Sequence, residues 1–285
     1  MRRWTKRLLA CLAVLLFAVI IFCSGSLMLY KGTPDWYASK LTKEKVAQVA
    51  HQAEEKLTRT QNWAVMLNGD AVRSNLAHQS GHKTPATRAE EGHDIRFSQD
   101  ELNALFDKWS GAYGWSSKYG QYLEEPRIVL KDGRLILAAL VKDVGAVVSF
   151  HFVPKLDEKG MLHLDLVQVL GGRLPLPDAV WDGYKQKMIE SLHKWIPIWQ
   201  QTARVYPQGA ANPQAMYVTL SKLVLHAANH EPAESILFLP LVENAKAVPV
   251  KVTDVGVDNG EIDLNVRRLN PTETAKLAQS LREPA

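Results

Sequence analysis

The hydrophobic pattern opens with an uninterrupted run. From Leu8 to Tyr30, 23 residues pass without a charge. A helix of that length covers about 34 Å, enough for a hydrocarbon core of about 30 Å. Residues 8–30 therefore predict a transmembrane anchor. The competing reading is a cleaved signal peptide, cut near Ser24-Gly25-Ser26. Beyond the run the pattern becomes periodic. Val46, Val49, Ala53, Leu57, Ala64 and Leu67 recur at helical spacing and predict a helix over 41–67, capped by Thr42. Residues 31–67 read as a juxtamembrane helical stalk packed on the main domain. The stripe is too short and irregular for a dimerising coiled coil. Residues 68–94 are rich in Asn, Gly, Ser, Thr and His, with Val72 and Leu76 as the sizeable aliphatics, and predict a flexible linker.

A compact exported domain is expected over 95–285. Ser98-Gln99-Asp100-Glu101 is a capping box, and Leu102, Leu105, Phe106 and Trp109 follow as one helical face. Four antiparallel strands come next. Arg127–Leu130 and Leu135–Val141 flank Asp132-Gly133, a type I′ hairpin signal. Val144–Val153 and Leu162–Leu170 flank the turn at Asp157-Glu158-Lys159-Gly160. Ala146, Val148, Phe150 and Phe152 alternate with Ser149 and His151, so one sheet face is expected buried and one wet.

The longest helical signal follows Gly172-Arg-Leu-Pro-Leu-Pro177. Trp181, Tyr184, Met188, Leu192, Trp195 and Trp199 form a single stripe, with Pro197 expected to kink or split the helix. Asn212-Pro213 opens a helix to about Ala228. Ser235–Leu239 reads as a strand, and Val248–Val257 with Glu261–Leu269 as a hairpin around Asp258-Asn259-Gly260. Asn270-Pro271 starts a closing helix. Segregated strands and helices predict an α+β fold: a curved antiparallel β-meander wrapped on a long aromatic-rich helix, preceded by one transmembrane helix and a helical stalk.

Charge then locates the protein. The formal charge is +4, from 34 Lys+Arg and 30 Asp+Glu. Arg2, Arg3, Lys6 and Arg7 precede the apolar run and no acid does, so residues 31–285 are neutral. This argues against a basic nucleic-acid footprint. The four bases form a cytoplasmic flank over 1–7 and orient the anchor, which places the C-terminal bulk in the periplasm or outside the cell. Tyr30, Trp36 and Tyr37 fit an aromatic belt on the far side. With 46% hydrophobic residues the chain is not mostly disordered. Both cysteines, Cys11 and Cys23, lie inside the run, so the exported part has no disulfide.

Chemical motifs are weak. Ser191-Leu-His-Lys194 matches S-x-x-K without its companion elements. Ser116 fails G-x-S-x-G because Lys118 takes the last place, and Gly111 to Gly120 lacks the phosphate-cradle order. His226 and His230 share a helical spacing but lack H-E-x-x-H and a third ligand. The chain thus reads as non-enzymatic, with no cofactor and no metal.

The order of anchor, Phe97-Ser-Gln-Asp-Glu-Leu-Asn-Ala-Leu-Phe106, meander, and Gly172-Arg-Leu-Pro-Leu-Pro177 before a long helix resembles bacterial single-pass envelope proteins of the YpmS-like group. More loosely it resembles the tubular lipid-binding (TULIP) superfamily. The match covers roughly residues 95–200. Gly32-Thr-Pro-Asp-Trp-Tyr37 is also similar to uncharacterised planctomycete proteins. The superfamily resemblance implies an apolar groove between long helix and sheet that holds an acyl chain. Candidate ligand-lining residues are Trp181, Tyr184, Met188, Leu192, Trp195 and Trp199 on the helix, with Phe150 and Phe152 from the sheet. The expected function is a membrane-anchored envelope domain binding a lipid or other apolar ligand, partnered by the bilayer through residues 8–30. The alternative is a non-enzymatic envelope scaffold with a filled core.

Overall fold

A computed structural model of the protein describes residues 29–37, 42–79, 92–112, 120–143, 145–206, 210–241 and 246–283. The expected anchor over 8–28, the middle of the linker and the loop at 113–119 lie outside the described residues. Among the described residues no helix is long and apolar enough to cross a membrane.

The fold is α+β with two antiparallel sheets. A four-stranded sheet runs β1 (His93–Ser98), β10 (Glu261–Arg268), β9 (Lys246–Asp258), β8 (Ile236–Leu241). The other sheet runs β2 (Leu123–Lys131), β3 (Arg134–Val141), β4 (Ala146–Leu156), β5 (Met161–Gly171), β6 (Leu174–Pro175), with β7 (Ala233–Glu234) on β5. The β2–β3 turn places Asp132 and Gly133 at φ 51° and 72°, the left-handed pair a type I′ turn requires. Sequence periodicity anticipates the hairpins. It does not anticipate that β1 pairs with β10, Ile95 opposite Leu264 and Phe97 opposite Ile262.

Helix α1 (Lys43–Gln79) belongs to this core. Ala53 and Leu57 pack with Ile95, Phe97, Leu105, Val250 and Val252, and Trp63 stacks on His93 at 4.8 Å. Helix α1 continues over 68–79, where composition predicts a linker. Ala71, Arg73, Leu76 and Ala77 are good helix formers, and single Gly and Asn residues cost only about 1 kcal/mol or less each. Strand β1 also begins two residues before the expected start at Ile95.

Helix α2 (Gln99–Ala112) forms as the capping box predicts. Glu101 N–H donates to Ser98 Oγ at 3.2 Å, and Ser98 N–H donates to Glu101 Oε2 at 2.8 Å. Its side chains also cover the free edge of β2. The Asn103 amide donates to the Ile128 carbonyl at 2.7 Å and accepts from Ile128 N–H at 2.8 Å, while Gln99 Oε1 accepts from Leu130 N–H at 3.0 Å. The buried Asn103 thus stands in for a neighbouring strand. Asn103→Ala leaves a backbone N–H and C=O without partners, and should lower unfolding free energy by about 2–4 kcal/mol in urea titrations.

The faces of β4 differ from the alternation reading. Ser149 and His151, expected on the wet side, are 0% and 6% exposed. That face is covered by the segment after residue 30. Trp36 meets His151 edge-on at 6.1 Å, and buried Tyr37 packs on Ala138 and Val147. The Tyr37 hydroxyl donates to Glu125 O at 2.6 Å, at the irregularity in β2. Trp36 and Tyr37, expected in an aromatic belt, thus pack on the sheet of the domain. Ser149 Oγ and His151 Nε2 lie 3.1 Å apart, within hydrogen-bond reach, while the buried His151 Nδ1 has no partner among the described residues. Burial, with Arg134 nearby, pushes the His151 imidazole down and keeps it neutral.

Helices α3 (Asp178–Thr202), α4 (Pro213–Ala228) and α5 (Pro271–Ser280) share a second core: Ile196, Val218, Leu225, Ile236, Leu277 and Leu281. Pro197 does not split α3. It is exposed, so the carbonyl left without a donor one turn earlier can be hydrated. Asn212 and Asn270 cap α4 and α5, each accepting from the helix N3 N–H. Glu273 closes the α5 capping box and receives both Arg267 Nη2 at 2.6 Å and Lys251 Nζ at 3.2 Å. Chiefly Arg267, against the opposing effect of burial, lowers its carboxyl to about 2. A depressed carboxylate stabilises fully above the ordinary carboxylate range, and that stability is lost as pH falls toward 2. Acid titrations from pH 5 to 2 should show wild type losing about 2–3 kcal/mol more than Glu273→Gln.

Candidate functional site: an apolar groove at the N-terminal junction

Alternate residues of β3 and β4 build one wall. Leu137, Ala139 and Val141 face the same way, and the register sets Leu137 opposite Phe150 and Ala139 opposite Val148. Pro126 and Ile128 extend the wall from β2, Phe106 from α2, Leu176 from the segment before α3, and Trp181 and Tyr184 from the start of α3. Together they line an open cavity of about 640 Å³. That lies in the usual range for small-molecule sites, roughly 300–1,000 Å³. Charged lining residues among those described are Arg127 and Asp143. Asp143 is exposed. Arg127 opposes Ala138, on the Tyr37 side of the sheet, and its Nη1 lies 3.7 Å from Asp107. Burial raises the Asp107 carboxyl, and Arg127 partly offsets this.

The lining includes a residue from the end of the uncharged run. Residues 29–31 are helical, and Tyr30 lines the cavity beside Tyr184. The segment is held at the turn after β5. Leu29 O accepts from Arg173 N–H at 3.0 Å, and Arg173 Nη2 donates to Asp35 Oδ1 at 2.6 Å. The backbones come so close that a Cβ on Gly172 would fall on the Leu29 and Tyr30 carbonyl oxygens, and one on Gly171 on the Tyr30 ring. Gly172 also sits at φ 61°, so two independent reasons demand glycine there.

The expected lining is brought together in part. Trp181, Tyr184 and Phe150 line the groove, with Phe150 and Trp181 rings edge-on at 5.4 Å. Met188, Leu192, Trp195, Trp199 and Phe152 do not. The buried side of α3 runs through Ile189, Leu192, Ile196 and Trp199 toward α4, so the helix leaves the sheet after its first turns. Trp195 is 44% exposed and stacked on Trp199 at 6.1 Å. Phe152 pairs with Leu135 and Leu166 further along β4. Of the expected lining tryptophans, Trp181 borders the cavity and Trp195 and Trp199 do not. Periodicity missed Tyr30, Leu137, Ala139 and Val141. Their alternation was visible, but the partner face was not.

The two other motifs do not assemble into sites. His230 lies past the end of α4 at φ 57°, so it does not share a helical face with His226, whose Nδ1 is 3.3 Å from Glu231. Among the described residues no group of three His, Cys, Asp or Glu is placed to hold a metal. Ser191 and Lys194 are both exposed on α3. Compared with protein-family models, curated proteins and solved structures, the chain has no match.

Proposed function

We propose that this protein is a membrane-anchored envelope domain that takes an acyl chain or similar apolar ligand into the groove between the meander and the first turns of α3. Residues 8–30 form the anchor, with the basic flank in the cytoplasm and residues 31–285 outside it. The observation that carries this reading is Tyr30. It is the last residue of a 23-residue uncharged run and also a wall of the groove. An anchor ending there sets the opening at the bilayer surface, where an acyl chain passes from lipid to protein without crossing water. Release of such a chain into water would cost about 0.8 kcal/mol per CH2, so a long chain is held against loss to solvent without charged contacts. The open cavity beside Trp181 supports this reading over a scaffold with a filled core. The test is native mass spectrometry and lipid extraction of the full chain purified in mild detergent. Bound lipid retained through detergent exchange supports the reading. Repeated absence of lipid overturns it.

A further inference from the structure

Helix α3 carries two apolar stripes. One is buried against α4, through Ile189, Leu192 and Ile196. The second faces outward: Val180 and Tyr184 at the start of the helix and Trp195 and Ile198 near its end share one side, each 42–53% exposed, with the exposed Ser191 between the two pairs. At 1.5 Å per residue that stripe extends about 27 Å. Lys187 and Lys194 border it on one side, both exposed, with Lys194 Nζ 6.0 Å from the Trp195 ring. The patch continues onto α4. Trp195 stacks on Trp199, Trp199 meets Tyr217 at 5.7 Å, and Leu220 and Val224, on the same side of α4 as Tyr217, are 43% and 42% exposed. Exposed apolar and aromatic groups gathered on one side in this way are normally covered.

We infer that the outer stripe of α3 lies in the headgroup boundary of a bilayer, so that the domain rests flat on the membrane with the groove opening against it. Two observations select a lipid surface. The stripe begins at Val180 and Tyr184, and Tyr184 lines the groove together with Tyr30, where the uncharged run ends. The stripe and the anchor therefore meet at one point. The composition is also that of an interfacial helix, with Trp and Tyr in the apolar band and lysines at its border, whose stems cover apolar surface while their ammonium groups reach phosphate. This inference rests on the proposed anchor, and it adds an orientation that the groove alone does not require.

The test places spin labels in the full chain, reconstituted in vesicles of phosphatidylethanolamine and phosphatidylglycerol. Cys11→Ala and Cys23→Ala clear the background, and Val180→Cys, Trp195→Cys, Ile198→Cys and Leu220→Cys carry labels. Glu190→Cys, on α3 but off the stripe, and Asn259→Cys, at the β9–β10 turn, serve as references. Labels on the stripe should be severalfold more accessible to dissolved oxygen, relative to a water-soluble nickel complex, than the references. Equal accessibility overturns the inference. Dipolar broadening between stripe labels also overturns it and makes a second copy of the chain the occupant. Carbonate washing reads the anchor separately. If it releases the chain, the anchor reading fails, and the same labels with added vesicles decide the stripe by themselves.

Discussion

Ala139→Trp is expected to empty the groove while leaving the protein folded. Ala139 sits midway along the β3 wall, between Leu137 and Val141 and opposite Val148. An indole built there projects into open space rather than into packed core, so the usual overpacking cost of about 1–3 kcal/mol does not apply in full. It occupies the space an acyl chain needs. Lipid recovered per mole of full-chain protein should fall at least about tenfold, the equivalent of about 1.4 kcal/mol or more of binding free energy. Tm should move by no more than a few degrees. Phe152→Leu, on the neighbouring strand β4 but away from the cavity, should leave the lipid content unchanged. Equal lipid in Ala139→Trp and wild type would place any bound lipid elsewhere.

Gly172→Val should produce the largest loss of stability. The residue has φ 61°, which costs a side chain about 1–2 kcal/mol and a β-branched one more. The new Cβ would also meet the Leu29 and Tyr30 carbonyls, so residues 29–37 would have to leave the sheet. That exposes Tyr37, Ala138 and Val147 and leaves the Ser149–His151 pair open to water. The combined loss should exceed about 3 kcal/mol, a fall in Tm on the order of 10 °C for a domain of this size. Limited proteolysis should then cut between residues 30 and 42. The reference is Gly183→Ala. Gly183 is exposed within α3 with open space around its Cα, so alanine there should stabilise by about 0.5–1 kcal/mol. Thermal unfolding of the two variants should therefore move in opposite directions.

What the sequence revealed follows from the range of each interaction. Hairpins, caps and helix starts are local, and Asp132-Gly133, Asn212-Pro213 and Ser98-x-x-Glu101 specify them within four residues. The β1–β10 pairing and the packing of α1 on β9 join residues more than a hundred positions apart, and nothing local marks them. The groove was half legible for the same reason. The alternation of Val148 and Phe150 and the start of the aromatic stripe at Trp181 were visible, and these meet. The stripe was then extended along all of α3, because periodicity shows that a helix has an apolar side and not what covers it. Ile189 and Ile196, the true centre of the buried face, lay one position away from the aromatic stripe. His151 was misassigned because a polar residue alternating with apolar ones normally faces water. Here Trp36 and Tyr37 cover it, from a segment that reads as a membrane belt.

The central claim is that an acyl chain enters beside Tyr30 and lies along β3 and β4. Photo-cross-linking tests it most directly. Full-chain protein in vesicles doped with a phospholipid carrying a diazirine near the end of its acyl chain is irradiated, digested and mapped by mass spectrometry. The account predicts adducts on Leu137 to Val148 and on the Trp181–Tyr184 turn, lost in Ala139→Trp. Adducts confined to the uncharged run and the outer stripe of α3, with none on β3 or β4, would contradict it.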